Sequence, residues 1–283
     1  MQVVSQGERL FTMSIIHPFE DHQPLHGSGH KTVADVAKQL ADARCTRTLC
    51  DVELGRILSL LNAAEIQRSA MDAVGFDRRG YTVIGLGEPT RRALQLGNPV
   101  FCEVPTFAVN HRQSEVQLSP GSLGAQAGLV FTVLRPFPEP GEKISFEAAG
   151  DAVIGMQPCI NFLSRRTSAS FVGDDAATAD FAFHDTTVCG DFIPLNADRM
   201  AGDFQVAVEV SARDTTIWKT QSVLARPLRA VAWLAKRLAK TGRQIQPGDL
   251  VITGSCSPIV YVEAGQCITA GFDEFEPIRT KLL

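Results

Sequence analysis

Arg226-Pro227-Leu228-Arg229-Ala230-Val231-Ala232-Trp233-Leu234-Ala235 runs into Gly242, then Pro247-Gly248-Asp249-Leu250-Val251-Ile252-Thr253-Gly254, then Val262-Glu263-Ala264-Gly265-Gln266. A proline in the first turn and a glycine just past the end mark one helix over residues 227–240. A turn and a short β-rich segment follow, with strand-like pieces at Leu250–Thr253 and Ile259–Val262. Working outward, Leu129–Leu134 is a buried-type apolar run that stops at Pro136. Phe204–Val210 alternates as a half-buried strand does. The interior stretch that reads most like a loop is Gly173–Ala179.

Upstream of residue 100 the pattern changes to helices. Thr32 stands where it caps Val33, Val36, Ala37 and Leu40, with Asp35 three residues on. Asn62 and Glu65 open a second helix that continues to about Val74. Gly80–Leu86 reads as a strand reaching a glycine turn, and Glu88-Pro89 opens a helix through Leu96. Helices first and a β-dominated body afterwards imply an α+β fold. The expected organisation is a tail over 1–30 and a single domain over 31–283, helical over 31–98 and β-rich over 99–283. The tail carries His17, His22, His26 and His30. The last three are spaced like metal ligands on a helix, but Pro24, Gly27 and Gly29 argue against a helix there, so a mobile tail is expected.

The 283 residues are enough for one sizeable core. Net charge is −4 with both signs interspersed and no basic run, so nucleic acid is not an expected partner. No stretch approaches the roughly 20 apolar residues of a membrane span. The start lacks a charged-then-apolar secretory pattern, so a cytoplasmic protein without a membrane partner is expected. Seven scattered cysteines, never in a C-x-x-C pair, suggest neither a disulfide framework nor a thiolate zinc site.

The closing segment resembles that of the 2-keto-4-pentenoate hydratase (2-oxo acid hydratase/decarboxylase) family, within the fumarylacetoacetate hydrolase superfamily. The similarity extends over roughly residues 32–283, and Ala63-Ala64-Glu65-Ile66-Gln67 resembles the family's Ala-Tyr-x-Ile-Gln segment. The resemblance implies N-terminal helices packed on a mixed, curled β-structure (a pseudo-barrel), assembly as a homo-oligomer, and a small-molecule carboxylate substrate. It also implies a divalent metal, which acts as a Lewis acid on the enolate of a 2-oxo acid and is held by a Glu-x-Glu strand motif and a third glutamate. Those positions fall here on Gln126-Ala127-Gly128 and on Asn161. Neutral amides and a glycine do not replace three anionic ligands, so no magnesium or manganese cofactor is expected. The family's lysine falls on Val83 and an aspartate on Val100, while Asp-Asn-Ala-Ser-Cys-Gly becomes Asp185-Thr186-Thr187-Val188-Cys189-Gly190.

The candidates that remain are polar residues beside these strand ends. His184 and Asp185 are the first catalytic candidates, since a histidine next to a carboxylate can exchange protons near neutrality. The alternative is a hydrogen-bonded structural histidine. Glu88 is the carboxylate nearest the lost lysine, or else an exposed N-terminal helix residue. Arg165 and Arg166 can fork onto a substrate carboxylate, or stand as a surface or intersubunit ion pair. Arg226, at a helix start where a cation opposes the dipole, calls for an anionic partner. Gln126 and Asn161 are expected to hydrogen-bond substrate, with Cys256 and Ser257 from the loop that closes over it. Two functions follow. One is a metal-independent enzyme acting on a small unsaturated or cyclic carboxylate by lyase, hydratase or isomerase chemistry. The other is a catalytically inactive paralogue serving as a binding protein or as the supporting subunit of an active partner.

Overall fold

The computed structural model describes residues 31–283 except 60, 76, 113, 170–172, 196–202, 212–215, 224, 255 and 274; for 203, 204, 216–223, 225 and 226 it describes the backbone alone. The histidine-bearing segment 1–30 lies outside the described residues.

The expected caps start the first long helices. The Thr32 hydroxyl accepts from Asp35 N–H while the Asp35 carboxylate accepts from Thr32 N–H at 2.9 Å, a reciprocal box that opens α1 (Val33–Thr46). After the short α2 (Leu54–Ile57), the Asn62 side chain accepts from Ala64 and Glu65 N–H and opens α3 (Ala63–Val74). α3 ends on Gly75 in the left-handed region. Next come β1 (Arg78–Ile84), α4 (Glu88–Leu94), β2 (Val100–Pro105), β3 (Val109–His111) and β4 (Glu115–Val116).

Two twelve-residue antiparallel strands form the spine, β5 (Ser122–Val133) and β6 (Val153–Ser164), with α5 (Phe146–Asp151) between them. Then follow α6 (Asp174–Ala179), β7 (His184–Cys189), β8 (Ile193–Pro194), β9 (Asp203–Ser211), β10 (Thr216–Val223), α7 (Ala225–Ala239), β11 (Leu250–Thr253), β12 (Cys267–Phe272) and β13 (Phe275–Leu282). The larger sheet is mixed and curled, in the order β2-β1-β11-β5-β6-β7-β3 with β8 on β6; the smaller is β10-β9-β12-β13-β4. The α+β expectation agrees with this architecture.

Three local expectations need correction. Gly173–Ala179 is no loop: Gly173 precedes α6, whose Ala176, Ala177 and Ala179 are fully buried and whose first turn carries Asp174 and Asp175. Alanine's high helix propensity and acidic residues at the positive helix end account for it. α5 likewise interrupts a body that reads as β apart from the helix over residues 227–240. Ile259–Val262 forms no strand; Val260 makes one isolated bridge to Ala125.

The large sheet has two unlike faces, as the two-residue alternation of strands requires. Tyr81, Val83, Ala127, Leu129, Phe131, Ile160, Phe162, Val188 and Val251 form one apolar cluster with Leu228, Val231, Leu234 and Ala235 of α7. On the other face, one apolar cluster joins Val36, Leu40 and Ile66 of the first helices to Ile84, Val100, Cys102, Leu163 and Phe181. A second, farther along, holds Val104, Val130, Cys159, Cys189, Leu250 and Ile252. Between them the strands carry Gln126, Gly128, Asn161 and Thr187.

Candidate functional site

Gln126 and Asn161 face each other across β5 and β6, and Asn161 is level with Thr187 of β7. Only 1% of Gln126 and 2% of Asn161 is exposed. Polar groups this deep need partners. Thr90 of α4 donates its hydroxyl to Gln126 Oε1 at 3.1 Å. Asn161 Nδ2 donates to the Thr253 carbonyl at 3.0 Å, and Asn161 Oδ1 accepts from the Thr187 hydroxyl at 2.8 Å.

Two glycines make this arrangement possible. A Cβ on Gly128 would stand 1.8 Å from the Thr253 carbonyl oxygen and 2.8 Å from Asn161 Nδ2. A Cβ on Gly254 would stand 1.8 Å from Gln126 Nε2. The backbone of Thr253-Gly254 therefore lies against β5 at the depth where longer side chains would otherwise project. The following segment is fastened there too. Cys256 N–H donates to the Ala127 carbonyl at 3.2 Å, the Ser257 hydroxyl accepts from Ala127 N–H at 2.9 Å, and Val260 N–H donates to the Ala125 carbonyl at 2.7 Å. Ser257 also donates to the Pro258 carbonyl at 2.8 Å.

The polar belt continues into a charged corner. His184 Nε2 lies 2.9 Å from the Thr187 hydroxyl, and its Nδ1 lies 3.3 Å from Arg44 Nη2. Arg44 Nη1 and Arg166 Nη2 both donate to the His184 carbonyl. That carbonyl ends a tight turn in which Phe181, Ala182 and Phe183 all have left-handed φ values of 52°, 53° and 54°. Such a conformation costs a residue with a side chain about 1–2 kcal/mol. The turn persists because its surroundings over-determine it. Both guanidiniums grip its last carbonyl and lie over the Phe181 ring, Arg44 at 4.6 Å and Arg166 at 5.5 Å from the centroid.

Asp180, at the start of the turn, accepts from Arg166 N–H at 2.7 Å and from its guanidinium at 3.4 Å. Burial pushes its carboxyl up to about 6, against the pull of Arg166 and Arg44. Burial, then Arg44 and Arg166, hold His184 well below the usual histidine range. Burial and the neighbouring Arg166 lower Arg44 to about 10.

The sequence-derived candidates separate into two groups. Gln126, Asn161 and His184 come together, His184 reaching Asn161 through Thr187, with Arg166 behind them. Arg166 is buried against Asp180 and 3.6 Å from Asp185, so a solvated surface pair with Arg165 is excluded. Asp185 is half-buried and accepts from the Ser119 hydroxyl at 2.9 Å. Arg165 is half-buried with its N–H on the Gly121 carbonyl at 3.0 Å. Cys256 and Ser257 are structural fasteners on β5. Glu88 stands on the surface paired with Arg92 at 2.7 Å, and does not join the belt. The Arg226 side chain lies outside the described residues. Val83 and Val100 are buried in separate clusters on opposite faces, 1% and 6% exposed. A cavity of about 500 Å³ lined by Met71, Asp72, Gly75, Asp77, Arg78 and Glu103 contains none of the candidates.

Sequence reasoning missed Arg44, Thr90, Thr187 and Asp180. Thr187 left a trace, standing in a segment whose asparagine and serine are replaced. Arg44 left none, since a basic residue in the last turn of a helix is what the dipole favours anyway.

Residues 98–283 match the fumarylacetoacetate hydrolase C-terminal family. The chain belongs to that family. Among curated relatives, the 2-keto-4-pentenoate hydratase of Paraburkholderia phymatum is 39% identical over 56 residues, 20% of this chain and 21% of that protein. The TodF product hydratase of Pseudomonas putida is 45% identical over 42 residues, 15% of this chain and 16% of that protein. The alignments thus span about a fifth or less of these relatives' length. Among solved structures, 4-oxalocrotonate decarboxylase from Pseudomonas putida G7, complexed with magnesium and adipate, matches with a TM-score of 0.74 at 18% identity, covering 89% of this chain and 97% of that one. This likeness establishes the shared fold.

Proposed function

We propose that this chain is a non-catalytic member of its family: a binding protein or the supporting subunit of an active partner, without the metal-assisted reaction. One observation carries this reading. The positions aligned with the family's three glutamates hold two amides and a glycine, and both amide oxygens are turned to internal donors, Gln126 Oε1 to Thr90 and Asn161 Oδ1 to Thr187, while Asn161 Nδ2 donates to the Thr253 carbonyl.

A magnesium or manganese ion does not fit this donor set. Such ions need hard, mostly anionic oxygens to offset dehydration. Here the one carbonyl oxygen of Asn161 is turned to Thr187, and its N–H, a poor neighbour for a cation, is turned toward Gly128. Among the described residues no three His, Cys, Asp or Glu side chains gather in a metal-binding group. The candidate proton carriers are equally committed. His184 is wholly buried and neutral, Asp185 is held by Ser119 and Arg166, and Glu88 faces solvent beside Arg92.

The competing reading, a metal-independent lyase, hydratase or isomerase acting on a small carboxylate, has one observation in its favour. Gln126 Nε2 donates to no described residue, so an amide N–H remains for a substrate oxygen. A single experiment separates the two. The full-length chain is screened by thermal shift and by product analysis against 2-oxo, dienoic and aromatic carboxylates, with and without magnesium or manganese. The expected result is no turnover in any combination and no metal-dependent shift in Tm. Turnover without metal makes it the enzyme of the competing reading. Turnover abolished by a chelator and restored by metal overturns both.

A further inference from the structure

We propose that Arg44 is a positioning residue: from α1 it imposes the direction of every hydrogen bond between itself and Asn161. Together with the Thr253 carbonyl at the other end, it fixes which end of that amide is presented to β5 and β11. Arg44 lies 117 positions before Asn161 in the chain, and no motif links the two.

Chemistry fixes both ends of the chain of contacts. A guanidinium only donates and a backbone carbonyl only accepts. Arg44 Nη2 is 3.3 Å from His184 Nδ1, His184 Nε2 is 2.9 Å from Thr187 Oγ1, Thr187 Oγ1 is 2.8 Å from Asn161 Oδ1, and Asn161 Nδ2 is 3.0 Å from the Thr253 carbonyl oxygen. With both ends fixed, each group between them has one consistent state. His184 accepts at Nδ1 and carries its proton on Nε2. Thr187 accepts from His184 and donates to Asn161. Asn161 accepts through Oδ1 and donates through Nδ2.

Among the described residues no other charged group competes for the same atoms. Arg166 packs on the His184 carbonyl, and Asp180 is consumed by the backbone and guanidinium of Arg166. Asp185 binds Ser119 and Arg166, and Cys102 on β2 gives its S–H to the Phe181 carbonyl, its thiol pushed by burial to about 12. Protonating His184 would aim an Nδ1–H at a guanidinium N–H, so the imidazole can gain a proton only by releasing Arg44. Among the described residues Arg44 Nε is buried without a partner, and this guanidinium is held by His184 and the Phe181 ring. Reversing the relay would turn Asn161 Oδ1 onto the Thr253 carbonyl, oxygen against oxygen. The N–H end of Asn161 therefore faces Gly128 and Thr253, giving the third ligand position the polarity of a donor.

This inference shares the Asn161 position with the proposed function but does not depend on the absence of turnover. Nitrogen-15 NMR of the full-length chain labelled at histidine tests it, with the His184 signals assigned by their loss in His184→Gln. The expected spectrum has one protonated and one bare ring nitrogen, the proton on Nε2, unchanged between about pH 8 and pH 5. In Arg44→Met, His184 should titrate closer to the ordinary histidine range, and Arg44→Lys, which also only donates, should restore the single tautomer. A proton on Nδ1, or an imidazolium at pH 6 in the unaltered chain, overturns the proposal whether or not the variants fold. An unchanged spectrum in folded Arg44→Met overturns it as well. Discovery of turnover would remove the proposed function and leave these spectra unaffected.

Discussion

The two faces of the large sheet are built from the same strands and buried to the same degree, yet they are held by different physics. Toward α7 the strands present Tyr81, Val83, Leu129, Phe131, Ile160 and Phe162, and cohesion is area removed from water, insensitive to direction. On the opposite face Gln126, Asn161, Thr187 and His184 sit as deep, and each is held by one to three oriented bonds. The difference teaches where residue identity carries information. An apolar face tolerates any well-shaped hydrocarbon. A buried polar face tolerates only a set whose donors and acceptors balance, so a change at one member forces changes at others. Gln126 and Asn161 accordingly stand beside glycines at 128 and 254, where a Cβ would collide with them, and Asn161 beside the hydroxyl of Thr187.

The largest effect should come from the apolar face. Phe131 is fully buried, and Phe131→Ala leaves a cavity against α7; a loss of about 3–5 kcal/mol in denaturant unfolding is expected. A loss below about 1 kcal/mol would mean that the interior is far looser than its burial indicates.

The polar face should respond almost as strongly to a change that removes no volume. Thr187→Val keeps the shape but leaves His184 Nε2–H and Asn161 Oδ1 without their strongest partner, costing about 2–3 kcal/mol. By contrast, Val188→Thr on the apolar face adds a hydroxyl without a partner, and about 1–3 kcal/mol is expected there. If Thr187→Val proves neutral in urea unfolding, the relay is not closed in solution and the contrast between the faces fails.

Much of this is legible in the sequence alone, and the reason is locality. The caps at Thr32 and Asn62, the break at Pro136 and the alternation through Phe204–Val210 are each set by neighbours in sequence. The amides Gln126 and Asn161 were legible too, since side-chain chemistry is read straight from the letters. Arg44, Asp180 and Thr253 were not, because their roles arise from contacts across 140, 14 and 92 positions, which carry no periodic signature. α6 was misread for a related reason: a short alanine helix has no apolar period, and only its packing reveals it.

Acid titration separates the faces by a smaller amount. The folded value of His184 lies below the 6.5 of an ordinary histidine, so below that pH the unfolded chain holds the extra proton and stability is lost as pH falls. Asp180 acts with the opposite sign. Its folded value, raised from 3.8 to about 6, makes the folded chain hold more protons, so its contribution is lost as pH rises between those values. Comparison of the chain with His184→Gln isolates the histidine. The advantage of the parent over the variant should shrink from pH 7.5 to pH 5, by at most about 1.4 kcal/mol per pH unit for one proton. An advantage that stays constant would mean that His184 keeps its ordinary proton affinity in the fold.

The smallest effect is expected at Glu88, the candidate that the sequence placed beside the site and the fold placed outside the polar belt. Its carboxylate pairs with Arg92 at 2.7 Å across one helical turn, with 70% of the Glu88 and 81% of the Arg92 side chain exposed. Water and salt screen such a pair, and its position at a helix N-terminus adds little more. Glu88→Gln should therefore shift stability by about 0.5 kcal/mol or less and leave any carboxylate-induced Tm shift intact. If the variant instead abolishes a ligand shift that the parent shows, a carboxylate on α4 reaches bound ligand. The functional surface would then extend past Thr90 to the solvent edge of that helix, beyond the buried belt.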